Sequence, residues 1–167
     1  MKTKGVSKKG EDNNMIKNKV KILWAGDGGG ASGFARVNHS IISHLPDNYE
    51  IHHLAVNHLG DPYPTGKNHF LYPALIPGGD QLGLSRIQKL CHRIEPDLIF
   101  ILNDPWVINE YLVRIPKKYK VVAYTPVDGM YLFKGWVENL QKINQLITYT
   151  EFGKNEMLRR VPDFTGI

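Results

Sequence analysis

Apolar and polar positions along this chain alternate between two periods. Ile22-Leu23-Trp24-Ala25 is a short apolar run, the mark of a strand buried on both faces. Phe34, Val37, Ile41 and Leu45 then recur at helical spacing, one stripe to lay against a sheet. A second strand is predicted over 50–56, after the Pro46-Asp47-Asn48 turn, and a short one over 69–72. Leu84, Ile87, Cys91 and Ile94 space a helix that Glu95-Pro96 closes. Residues 97–102 form an apolar strand. Asp104 then stands at a helix N-cap with Pro105 at the first helical position, and this helix runs to about 115. A strand is predicted over 120–124, a helix on the stripe Phe133, Trp136, Val137, Leu140 and Ile143, and a strand over 146–149. Thr150 opens a last helix through Met157, Leu158 and Val161.

Strands alternating with helices predict an α/β fold, a Rossmann-like parallel sheet flanked by helices. In such a sheet the loops that follow the strands share one rim, where ligands bind. Those loops are 26–33, 57–68, 103–105, 125–129 and 150–153, and they hold most of the unusual polar residues.

The first of them carries five glycines in eight residues, Gly26 to Gly33, with Ser32 placed to cap the helix that follows. Glycines let a ligand approach the backbone, and a helix start presents N–H groups to an anion. Gly28-x-Gly30-x-x-Gly33 matches the dinucleotide fingerprint in letters. That fingerprint also needs an acid at the end of the second strand, where Asn57-His58 stand here. A P-loop needs Gly-Lys-Ser/Thr, and Gly33 is followed by Phe34-Ala35. The NAD and ATP readings both lose ground. What remains is a phosphate- or sugar-facing turn, or a tight strand–helix turn with no ligand.

Composition changes this picture little. The 167 residues are 42% hydrophobic and 22% charged, enough for one domain with a sizeable core. The net charge is +5, but six lysines against Glu11 and Asp12 put +4 of it within residues 1–19. We expect those residues to be a disordered basic tail, and expect no nucleic-acid partner. Cys91 is the single cysteine, so no internal disulfide can form, and it lies on the apolar face of its helix. No apolar signal region and no apolar run of membrane-spanning length occurs, which leads us to expect a cytoplasmic protein. The seven histidines show no metal-ligand spacing and read as scattered surface or core residues. His58, in the long loop, is the one to test in a cleft.

Several stretches in order resemble one family. Ser32-Gly33-Phe34-Ala35-Arg36-Val37, with Ile41 and Leu45, resembles the first glycine-turn helix of GT-B glycosyltransferases of the retaining, family-4-like group. Tyr49-Glu50-Ile51-His52 is similar to that family's second strand, and Glu95-Pro96-Asp97-Leu98-Ile99 to its Pro-Asp-apolar strand. Thr148-Tyr149-Thr150-Glu151-Phe152-Gly153-Lys154 resembles the Ser/Thr-then-Phe helix opening of the same enzymes. Gly33 to Val37, Asn103-Asp104-Pro105-Trp106 and Tyr124-Thr125-Pro126-Val127-Asp128-Gly129 resemble a subgroup within it. The resemblance covers about residues 20–167.

The resemblance implies an N-terminal, acceptor-side domain. Its partner would be a C-terminal donor domain with a basic pair and a Glu-x7-Glu motif, which this sequence lacks, so the chain alone is expected to be inactive. The substrates implied are a nucleotide-sugar donor and an unknown acceptor, with no cofactor and no metal. Gly29, Gly30, Ser32 and Gly33 would face the donor phosphate or the transferred sugar. Asp128 would be the catalytic residue, near where the family often places a cleft His or Asp. His58, Asn103, Asp104, Thr125, Thr150 and Glu151 would line the acceptor. Each has a plainer alternative: Asp128-Gly129 as a turn, Asp104 and Thr150 as helix caps. Trp106 and Tyr131 read first as core packing and second as platforms for a sugar. Arg36 pairs either with a phosphate or with a surface carboxylate. A non-catalytic module that binds a glycan or nucleotide is the alternative function.

Overall fold

The computed structural model describes residues 19–166, so the expected tail lies outside the described residues apart from Lys19. Six strands form one all-parallel sheet in the order β3-β2-β1-β4-β5-β6. They are β1 (Val20–Asp27), β2 (Tyr49–Val56), β3 (His69–Pro73), β4 (Leu98–Leu102), β5 (Val121–Thr125) and β6 (Gln145–Thr148). The helices are α1 (Gly33–Ser43), α2 (Leu84–Ile94), α3 (Pro105–Arg114) and α4 (Glu151–Arg160). This is the doubly wound order, with its switch point between β1 and β4, the place where sheets of this order open a crevice.

The larger core lies on one face. Leu23, Ala25, Leu54, Ile99, Ile101, Val121, Ala123 and Leu146 point from the strands toward Ile87, Cys91, Ile108, Tyr111 and Met157 of the helices. Cys91 is fully buried among them, and burial pushes its thiol up to about 11, so it packs rather than reacts. The opposite face carries α1 over Ile22, Trp24 and Ile51, with Trp24 stacked on Phe100 at 4.1 Å. Beyond α1 this second face is partly open: Leu98, Phe100, Val122 and Tyr124 are half-buried, and Ile147 and Tyr149 are each 40% exposed.

Two expectations change. The stripe Phe34, Val37, Ile41, Leu45 is half-buried, and α1 turns its most buried line, Ala35, Asn38 and Ile42, to the sheet. Asn38 explains the shift. Its side chain accepts from the Trp24 indole (2.6 Å) and donates to the Asp27 carbonyl (3.0 Å), tying the helix to β1 through polar bonds. The helix expected over 133–143 is two single 3-10 turns, Lys134–Trp136 and Leu140–Lys142. Val137, Leu140 and Ile143 do face the core, while Phe133 and Trp136 face out. Between the two turns, the Asn139 N–H and side chain both donate to the Asn109 Oδ1 of α3, in place of a helical carbonyl.

Candidate functional site

At the carboxyl end of β1 the glycine turn splits into two parts. Gly28 and Gly29 both donate their backbone N–H to the Val56 carbonyl, at 3.0 and 3.3 Å. A Cβ on Gly28 would lie 2.4 Å from the Ala55 Cβ, and one on Gly29 would lie 2.4 Å from the Asn57 carbonyl oxygen. These two glycines are therefore structural: they let the turn close against β2. Gly30 sits at φ +83°, open to solvent, and a Cβ on Gly33 would meet nothing within 4 Å. Only this second half of the turn is free for a ligand.

Ser32 caps α1 as expected, its Oγ accepting from the Ala35 N–H at 3.0 Å. It also donates to Asp27, a buried carboxylate that stands at the end of β1 rather than in the predicted loop 26–33. Asn57 donates to the other Asp27 oxygen (3.2 Å), so the position that would carry a ribose-binding acid carries an amide turned inward. A carboxylate already stands at the start of α1, where an approaching phosphate would meet it.

Beneath the turn the structure gathers histidines that looked scattered. A carbonyl only accepts, so His53 donates from Nε2 to the Gly26 carbonyl (3.1 Å), and His39 donates from Nε2 to the Gly28 carbonyl (3.2 Å). The Nδ1 of His53 is left as an acceptor, and His69 donates to it from Nε2 at 3.2 Å. Burial holds His53 down to about 3, helped by the neighbouring His69; burial and His39 hold His69 down to about 4. His53 and His69 therefore stay neutral near pH 7, and the group works as hydrogen-bonding pegs under the turn. His58 is buried against the same group rather than in an open cleft. Among the described residues no group of three or more His, Cys, Asp or Glu is arranged to hold a metal.

On the other side of the switch point, Asn103 is buried, its Oδ1 accepting from the Asp104 N–H at 2.9 Å. Asp104 stands at the N-cap of α3, yet its side chain makes no cap bond. Burial, then Asp128 and Asp27, raises its carboxyl above the ordinary value. Asp128 is exposed, and among the described residues neither Asp104 nor Asp128 forms an ion pair. Thr125 is fully buried and donates to the Pro126 carbonyl (3.2 Å), so it shapes the loop from within. Thr150 caps α4, accepting from the Gly153 N–H at 3.1 Å, and Glu151 is exposed in the first turn of that helix. Arg36 is exposed and forms no ion pair among the described residues.

The two aromatic candidates are not core residues. Trp106 is 43% exposed and Tyr131 75%. Trp106 and Trp136 meet at 5.1 Å, tilted, and Phe133 stands edge-on to Trp136. With Asp104, Asp128 and Tyr131 they line a cavity of about 250 Å³. Tyr131 holds φ at +63°, a strained position for a non-glycine residue, and its N–H donates to the buried Glu156 carboxylate at 3.2 Å. Trp136 and Phe133 entered the sequence reading only as members of a core stripe. Their interruption by Gly135 was the available sign that the stripe breaks.

No family model and no curated protein matches this chain.

Proposed function

We propose that this chain forms the acceptor-side wall of a sugar-transferring enzyme, one that moves a sugar from a nucleotide donor to an acceptor with retention. The observation that carries this is the composition of the rim at the switch point. The open half of the glycine turn and three carboxylates, Asp27, Asp104 and Asp128, stand together there, and among the described residues none of the three forms an ion pair. Such a wall suits hydroxyl groups, which donate to carboxylates, better than it suits phosphate. The donor diphosphate would then rest on a second wall supplying basic residues, and this wall would hold the sugars. Gly30, Ser32 and Gly33 fit a role beside the transferred sugar. Asp128, exposed and in no ion pair among the described residues, fits a role at the reacting centre. Asn57 in place of an acid after β2 argues against a dinucleotide oxidoreductase.

The test is turnover by the protein expressed from its whole reading frame, read as nucleoside diphosphate released from UDP- and GDP-sugars. Release is expected, with Gly33→Val lowering it at least tenfold while leaving the fold intact, because the valine projects into open space. Absence of release from every donor, or binding of NAD in preference to sugar nucleotides, overturns the reading. The second reading, a glycan-binding module without transfer, is favoured by one observation: the aromatic cavity beside Asp104 needs no nucleotide to be filled.

A further inference from the structure

We propose that the cavity between the start of α3 and the 128–136 loop is a carbohydrate subsite, in which Trp106 and Trp136 stack on a pyranose ring whose hydroxyls donate to Asp104 and Asp128. Named as the acceptor subsite of a transferase, it rests on the reading above. As a glycan site it stands on the cavity alone.

The chemistry of the lining selects the ligand. Tilted, half-exposed indoles 5.1 Å apart offer apolar faces of ring size. A pyranose has one face of C–H groups to lie on them and an equatorial rim of hydroxyls. Asp104 is the polar partner, because its carboxylate makes no cap bond and, among the described residues, neither it nor Asp128 forms an ion pair. A protein surface docking on these aromatics would have to bury two carboxylates without partners, which costs more than the contact returns unless it brings cations. A neutral sugar supplies donors at no charge cost. At about 250 Å³ the cavity is smaller than the roughly 300–1,000 Å³ of pockets for drug-sized ligands, and suits one sugar ring rather than a nucleotide sugar. The third wall is held in place deliberately: the buried Glu156 fixes the Tyr131 N–H and keeps the strained loop that presents the phenol to solvent.

Tryptophan emission reads the site directly. The chain has three tryptophans; Trp24 is buried under α1, so a ligand-dependent change reports Trp106 and Trp136. The probes are cellotriose, chitotriose and mannotriose, titrated without nucleotide into the intact chain. At least one should change the emission, with a Kd in the millimolar range or tighter. Asp104→Asn should weaken that response about tenfold, and Trp106→Ala should abolish the change at Trp136. No response to any of the three, or a response unchanged in both variants, overturns the proposal. So does an equal response to UDP alone, or a concentration-dependent self-association in sedimentation that Trp106→Ala abolishes, which would make the patch a protein interface. Trisaccharide binding by a protein that releases no nucleotide keeps this subsite and removes the transfer reading. Nucleotide release without trisaccharide binding does the reverse.

Discussion

The two sides of the switch point invert what their sequences advertise. The β1–α1 side carries the glycine-rich letters and the histidines, and most of its polar atoms are bonded internally. Gly28 and Gly29 donate to Val56, His53 and His39 donate to the turn's carbonyls, and Asp27 is held by Ser32 and Asn57. The β4–β5 side carries unremarkable letters, yet there two carboxylates without an ion pair among the described residues line a cavity with an aromatic cluster. Glycines gather where backbone must pass close to backbone as readily as where a ligand must. The difference lies in whether a Cβ would strike the protein or open space.

The largest expected effect breaks this comparison within the turn itself. Gly28→Val and Gly29→Ala each drive an atom to within 2.4 Å of β2 or its loop, so each should cost roughly 3 kcal/mol or prevent folding. Gly33→Ala, at the first position of α1 with nothing within 4 Å, should change stability by less than about 1 kcal/mol and in the stabilising direction. Urea unfolding of the three variants checks the contrast. Equal losses at Gly28 and Gly33 would erase the division of the turn into a structural and an open half.

Next in size is the pH response of the histidine pegs. Folded, His53 takes a proton only near 3 and His69 near 4, whereas the unfolded chain protonates both near 6.5. The unfolded state binds more protons as pH falls below 6.5, so stability that is complete at pH 7 drains away between about 6.5 and 4. For His53 alone the loss between pH 7 and pH 4 is on the order of 3 kcal/mol. Unfolding midpoints measured across that range should fall, and His53→Gln, less stable at pH 7, should show a flatter profile. On the other side, Glu156→Ala removes the acceptor for Tyr131, and should cost about 2 kcal/mol in urea unfolding.

The sheet was legible because its signal is coarse. Runs such as Leu98 to Leu102 and Val121 to Ala123 are apolar on both faces, as a strand covered on both sides needs, and their alternation with helices makes the sheet parallel. The 133–143 stretch misled because Val137, Leu140 and Ile143 do face the core at intervals a helix would also give, while the Asn139 N–H bonds to a side chain on α3, a partner far away in sequence. The site was legible in its loops and less so in its atoms. Position alone placed Asp104, Asp128 and Ser32 on the predicted rim loops. Asp27 lies in one of the same predicted loops, but a residue in a glycine-rich turn carries no local sign that its carboxylate is bonded to Ser32 and Asn57. The histidine group was invisible because His39, His53 and His69 come from α1, β2 and β3, and only strand register brings them together.

The smallest prediction is the sharpest for the aromatic side. Burial, Asp128 and Asp27 raise the Asp104 carboxyl, so the folded protein holds that proton at a pH where the unfolded chain has released it. The unfolded state therefore binds fewer protons there, and Asp104 subtracts stability as pH rises through that interval. Asp128→Asn removes one like charge. It should move the Asp104 titration, followed by carboxyl NMR, down toward its ordinary value, and raise stability near pH 7 by a few tenths of a kcal/mol. An Asp104 titration that ignores the substitution would mean the two carboxylates do not face one space. The sugar hydroxyls assigned to them would then need another pair of acceptors, and the contrast between a closed glycine turn and an open acidic cavity would lose its second term.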